Sequence, residues 1–212
     1  MSPEATTLSE PQLDALREFG NIGSAHAATS LSLMIGQEIE MRMPELEVVP
    51  LNAVSSFVDP DGPSVGLYFK LLDGDCRENG HVYLVFPEGS ALKMADMLLM
   101  REVGATRQIG EEEQSALMEV GNVLLSSFGD ASAELLGITM LPSPPEYRFG
   151  MARALIDGVA HSVGSPASRA IVFKTALSDM ARLVKGYFVL LPEPATLESI
   201  LGLLEAKTSG DG

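Results

Sequence analysis

Two sets of polar side chains stand at the same spacing in the two halves of this chain: Asp14, Glu18 and Asn21, followed by Pro44, and Ser115, Glu119 and Asn122, followed by Pro145. The second set lies 101 positions after the first without a gap, and the same shift places Ala15 on Ala116, Leu16 on Leu117, Gly20 on Gly121 and Gly36 on Gly137. A carboxylate can hold a cation, and a carboxamide offers an acceptor oxygen together with a donating NH₂. Keeping both in register through a duplication points to a duplicated site. On an α-helix, positions i, i+4 and i+7 fall within about 60° of one another, so each set lines one helical face. Any surface helix carries acidic and amide residues. Gly20-Asn21 and Gly121-Asn122, however, put two poor helix formers inside a helix, at roughly 1 kcal/mol or more per pair relative to Ala. The glycine also removes a side chain beside each Asn, an opening through which another macromolecule is expected to approach. Proline recurs 23 residues after each Asn, a spacing that no local property of the helix requires.

The elements that position these residues follow from periodicity and punctuation. The first helix is expected to open at Ser9, with Gln12 completing a capping box and Pro11 in the first turn. Leu13, Leu16, Phe19, Ile22, Leu31 and Met34 give it an apolar face away from the polar stripe, and Gly36 is a natural C-cap. Strands are expected at Ile39–Met43, Glu45–Leu51, Val65–Leu72 and His81–Phe86, with turns at Asp59–Pro63 and Cys76–Gly80. Pro87-Glu88 opens a short helix. After a polar linker at 101–110, a helix led by Glu111, Glu112 and Glu113, charges that suit a helix N-terminus, runs to about Gly137. Strands at Tyr147–Ala152, Ala170–Thr175 and Lys185–Leu191 and a closing helix after Pro192-Glu193 repeat the order. The expectation is an α+β fold: one domain over 1–212, built from two pseudo-symmetric repeats, 9–100 and 110–205. Each repeat is a long helix packed on antiparallel strands plus a shorter helix. Residues 206–212 are expected to form a disordered tail.

Composition narrows the functions. The chain has 212 residues, of which 46% are apolar and 20% charged, enough for a full core. A net charge of −15 argues against nucleic acid and anionic membranes as partners, because phosphate contacts need Lys and Arg. The lone Cys76 forms no internal disulfide, the first residues lack the pattern of a signal peptide, and no run of about 18 apolar residues occurs. A cytoplasmic protein is expected. The histidines His26, His81 and His161 are scattered, and no Cys/His pair stands at ligand spacing, so no metal site is expected. Ser24, Ser30 and Ser32 lie near His26, but the G-x-S-x-G elbow of a serine hydrolase is absent. The Asp59–Gly62 turn lacks the spaced carboxylates of a calcium loop. The methionines, Met34, Met41, Met43, Met94, Met97 and Met100 among them, are expected mainly as core filler.

Asp/Ser-x-x-x-Glu-x-x-Asn followed by 22 residues and Pro resembles the signature of the CheC/CheX/FliY phosphatases of bacterial and archaeal chemotaxis, which dephosphorylate the response regulator CheY. Both copies match at every specified position, and the resemblance runs from about residue 9 to residue 205. It is nearest to the CheC branch, since CheX is expected to carry one active motif and FliY an additional C-terminal domain. The resemblance implies that Asn21 and Asn122 orient the attacking water, and that Glu18 and Glu119 pair with a lysine of the receiver domain. Asp14 and Ser115 would support the docking, while Pro44 and Pro145 shape the strand entry beneath the helix. The chain would need no cofactor of its own, with Mg²⁺ held by the receiver substrate. Phosphorylated CheY is the expected partner and the deamidase CheD a further one, with the chain itself a monomer. The rival expectation is a non-catalytic or weakly active module that binds a receiver domain or CheD.

Overall fold

The computed structural model describes residues 8–58, 62–163 and 169–210. Helix α1 (Glu10–Ile35) leads into strand β1 (Glu40–Pro50), a short 3-10 helix (Leu51–Ser56), β2 (Pro63–Leu72), β3 (Glu78–Pro87) and α2 (Glu88–Leu98). The second half repeats this order with α3 (Glu111–Leu136), the short β4 (Leu141–Pro142) and β5 (Glu146–Met151), α4 (Ala152–Val163), β6 (Arg169–Ser178), β7 (Leu183–Pro192) and α5 (Pro194–Gly210). The expected tail is therefore helical as far as Gly210, and Glu205-Ala206-Lys207 are good helix formers that extend α5. Residues 211 and 212, and 59–61 of the expected Asp59–Pro63 turn, lie outside the described residues. Helix α4 has no counterpart in the sequence-based expectation. Its signal is short but present: Ala152, Ile156 and Val159 stand at i, i+4 and i+7 and are all buried.

All strands join one antiparallel sheet in the order β1-β6-β7-β3-β2-β4, with β5 also on β2. The first strand of each repeat is exchanged. β1 pairs with β6 of the second repeat, and β4 and β5 pair with β2 of the first. At the centre, Leu84 opposes Phe188 and Tyr83 opposes Val189, so exchanging the repeats maps the β3–β7 ladder onto itself. That pseudo-twofold axis pierces the sheet and places α1 and α3 side by side, antiparallel, on one face.

Alternation along the strands divides the interior into two layers. Val82, Leu84 and Phe86 point to the side covered by α1, α3, α2 and α5, together with Leu16, Phe19, Leu117 and Phe128. Tyr83 and Val85 point to the other side, where the 3-10 helix and α4 supply Leu51, Val54, Ile156 and Val159. Met94 and Met97 fill the first layer as expected, whereas Met34, Met100, Met151 and Met180 are exposed. Among the described residues no helix is long and apolar enough to cross a membrane.

Gly20 and Gly121 do not open a path for a partner; both face the sheet. A Cβ on Gly20 would stand 2.9 Å from the Phe173 ring, and one on Gly121 would stand 2.7 Å from Leu67 Cδ1. Adjacent helical residues point about 100° apart, so a glycine beside an outward Asn falls on the inner face. These glycines let the helices sit close on the strands. Gly23 does the same between helices: a Cβ there would meet the Phe128 ring at 2.3 Å, and Phe128 also packs edge-on against Phe19 with centroids 5.9 Å apart.

The polar linker is tied down by Asp96 at the end of α2. Its carboxylate is buried and accepts hydrogen bonds from the backbone N–H of Gly104 at 2.7 Å and of Thr106 at 2.8 Å. Arg101 then reaches Glu112 at 2.6 Å and Glu113 at 2.5 Å in the first turn of α3. Burial alone would push the Asp96 carboxyl up, but the hydrogen bonds from Thr106 and Gly104 outweigh it and hold the pKa below the ordinary value.

Two outcomes follow for stability. Gly23→Val should destabilise the fold by about 2–3 kcal/mol through overpacking against Phe128, while Gly89→Ala, where a Cβ meets nothing within 4 Å, should be neutral or stabilising; urea midpoints at constant m-value read both. Asp96→Asn should cost about 1–3 kcal/mol at pH 7, because the buried charged acceptor of the Gly104 and Thr106 N–H groups is lost. A carboxyl whose folded pKa is depressed contributes its stability above the unfolded value of about 3.9 and loses it as pH falls through the folded value. The difference between wild type and Asp96→Asn should therefore shrink below about pH 4, as measured by urea unfolding at pH 7 and pH 3.5.

Candidate functional site

Both motif helices are fixed at their ends by local chemistry. Ser9 Oγ accepts from the Gln12 N–H at 3.3 Å while Gln12 Oε1 accepts from the Ser9 N–H at 2.8 Å, the expected capping box. Glu113 Oε2 accepts from the Gly110 N–H at 2.8 Å at the start of α3. Gly36 and Gly137 close the two helices in the left-handed conformation at φ 73° and 68°, where a glycine carries no Cβ penalty. Each polar set therefore begins at the fifth residue of a 26-residue helix.

The helix faces fall as the periodicity requires. Ala15, Leu16, Phe19, Gly20 and Gly23 are buried, and Asp14, Glu18 and Asn21 are exposed; on α3, Leu117, Val120 and Gly121 are buried, and Ser115, Glu119 and Asn122 are exposed. Among the described residues, the side chains of Glu18, Asn21, Glu119 and Asn122 have no hydrogen-bond or ionic partner in the chain. A rigid helix thus offers a carboxylate and, one turn on, a carboxamide with all its hydrogen-bonding capacity unspent. The first motif position differs. Asp14 is paired with Arg17 at 2.6 Å, whereas Ser115 and Met118 occupy the same places on α3.

Pro44 lies within the edge strand β1 instead of at a strand entry, whereas Pro145 stands immediately before β5. Pro44 sits at the register shift between Arg42 and Glu45, so the two strands expected at Ile39–Met43 and Glu45–Leu51 are one bulged strand. Pro145 lies in the interruption between β4 and β5. Proline cannot donate to a ladder and is tolerated at such edges. The neighbouring Met43 brings its sulfur within 3.4 Å of where a Gly20 Cβ would stand, which links the Pro44 bulge to the seat of the motif helix.

Around Asn122 the surface is concave. Glu119, Asn122, Val123, Ser126, Ser127 and Asp130 of α3 with Ser30 of α1 line an open depression of about 320 Å³. Ser127 Oγ meets Ser30 Oγ at 3.2 Å and ties the helices together. On α1 the position of Ser127 is taken by His26, whose Nε2 lies 3.5 Å from Glu134 Oε2. His81, by contrast, is buried with Nδ1 2.8 Å from the Tyr68 hydroxyl, on another part of the sheet. Among the described residues no three His, Cys, Asp or Glu side chains are placed to hold a metal ion. Sequence reasoning did not single out Ser126 or Asp130. The signal was available, since Asp130 is 11 residues after Glu119 and only about 20° from it around the helix.

The CheC-like family matches residues 12–48 and 112–147, the two motif helices with the strand residues through Pro44 and Pro145. The chain is 27% identical to the CheY-P phosphatase CheC of Bacillus subtilis over 94% of its own length and 96% of that protein. It is 29% identical to the flagellar motor switch phosphatase FliY of the same organism, over 68% of this chain but 37% of that longer protein. Among solved structures, that of Thermotoga maritima FliY superposes with a TM-score of 0.78 at 24% identity, covering 95% of this chain and 100% of that one. The chain is thus similar to the CheC-like family at both motif helices and to CheC of Bacillus subtilis from end to end.

Proposed function

We propose that this protein is a phosphatase for the phosphoaspartate of CheY, acting through two Glu/Asn sites. The observation that carries the reading is the pair itself: Glu18 with Asn21 and Glu119 with Asn122, exposed, unpartnered among the described residues and held at the same register on two capped helices. The names of the CheC and FliY relatives, a CheY-P phosphatase and a motor switch phosphatase, point the same way.

An acyl phosphate on a receiver domain already hydrolyses slowly, with Mg²⁺ bound by the receiver, so acceleration requires chiefly that a water be set in line with the scissile bond. In this reading the carboxamide oxygen of Asn21 or Asn122 accepts a hydrogen bond from that water, and the NH₂ donates to a neighbouring acceptor. The water oxygen attacks phosphorus, the bond from phosphorus to the aspartyl oxygen breaks, and inorganic phosphate and a free carboxylate result. Glu18 and Glu119 pair with a cationic side chain of the receiver and fix the angle at which the Asn enters. Helix rigidity matters here because a displacement of about 1 Å in a positioned group can cost on the order of a hundredfold.

Decay of phosphorylated CheY is the direct test. Wild type should accelerate it, Asn21→Ala and Asn122→Ala should each keep part of the activity, and the double variant should fall by roughly tenfold or more, to the spontaneous rate. The same substitutions should leave unfolding free energy within about 0.5 kcal/mol of wild type or slightly above it, because exposed Asn gives way to a better helix former. Binding of CheY without any acceleration by wild type would leave a receiver-binding module, and turnover of a small phosphate without a receiver would indicate a stand-alone phosphatase.

Glu18→Gln combined with Asn122→Ala isolates docking at the first site. KM should rise about three- to fivefold relative to Asn122→Ala alone, with a smaller change in kcat, since loss of an exposed ion pair weakens association more than chemistry.

A further inference from the structure

Superposing α1 on α3 by the 101-residue shift puts identical residues at the Glu/Asn pair but different ones beyond it. Ala25 stands for Ser126, His26 for Ser127, Thr29 for Asp130, and Leu33 for Glu134. The exposed Asp130 carboxylate lines the same depression as Glu119 and Asn122. Whatever approaches closely enough to meet the Asn122 carboxamide therefore also meets Asp130. At the first site, Thr29 offers no charge, and its hydroxyl already donates to the Ala25 carbonyl at 3.0 Å. The lip there carries the His26–Glu134 pair. Charge is also distributed differently upstream, where Asp14 and Arg17 neutralise each other before Glu18 and nothing charged precedes Glu119 at Ser115 and Met118. The second site thus presents two carboxylates, Glu119 and Asp130, without a partner among the described residues, whereas at the first Asp14 and Glu134 are each paired and Glu18 alone is uncommitted.

We infer that Asp130 is a specificity-determining residue of the second site: its carboxylate receives a second basic side chain of the docked receiver, a contact the first site lacks. This rests on the phosphatase reading above and deepens it. The two sites share their chemistry and differ in what they demand of the partner, so a receiver without that basic side chain uses them equally and one that carries it favours Asn122. The flanking charge acts on encounter and retention of the receiver, not on the water.

The test uses full-length chains with one working site: Asn21→Ala leaves the second, Asn122→Ala the first. With phosphorylated CheY as substrate at low salt, Asp130→Asn should raise KM about three- to fivefold in the Asn21→Ala chain, leave kcat within about twofold, and do nothing in the Asn122→Ala chain. The effect should fade at higher ionic strength, where exposed pairs are screened. Thr29→Asp should lower KM in the Asn122→Ala chain by a similar factor. An unchanged KM on Asp130→Asn, an equal shift in both backgrounds, or an inactive Asn21→Ala chain overturns the assignment. Failure of the underlying reading is visible separately, as full activity in the Asn21→Ala, Asn122→Ala double variant.

Discussion

Close approach of the two motif helices to the sheet and to each other is the constraint on which the rest of this structure depends. Gly20 and Gly121 remove the atoms that would hold α1 and α3 off Phe173 and Leu67, and Gly23 lets the Phe128 ring fill the space between the helices. Packed interiors tolerate little slack, so the depth and rotation of each helix are set from below. That rotation is what turns Glu18, Asn21, Glu119 and Asn122 outward. The glycine and the asparagine are neighbours in the motif but lie on opposite faces, one where the helix sits low on the strands and the other exposed above it.

The outward placement of Glu18, Asn21, Glu119 and Asn122 could be read from the sequence because helical periodicity and the ungapped repeat both act over short distances. The caps at Ser9, Gly36 and Gly137 were legible for the same reason. Three features were not. The role of Gly20 and Gly121 depends on strands far away in sequence, so a vacancy beside an Asn could not be assigned a direction. Pro44 looked like a boundary because proline breaks a central strand; only the position of β1 at the edge of the sheet lets it stay inside one. Helix α4 was hidden by its length: it has only 12 residues, and it follows directly on the strand-like run of β5 without a turn signal between them.

Polar anchoring complements this packing at the one place where the repeats must be joined. Asp96 holds the linker by its backbone, and Arg101 passes that hold to the first turn of α3. The acidic excess of the chain is thus put to structural use there, with carboxylates satisfied by N–H groups or guanidinium, while Glu18 and Glu119 on the motif faces remain uncommitted among the described residues. An uncommitted carboxylate on a strongly anionic surface attracts cations by long-range attraction as well as by contact. The same field that repels nucleic acid favours a partner whose docking face is basic.

The exchange of the first strand between repeats has a consequence for how this chain comes into being. β1 emerges during synthesis long before β6, the strand it must pair with, and β2 likewise waits for β4 and β5. Until the second repeat is made, the first has only its β2–β3 ladder, with β1 unpaired and the outer edges of β2 and β3 open to other nascent chains. A single repeat with these pairings would leave β1 without the β6 ladder and β2 without β4 and β5, so each half of the sheet is completed only by the other.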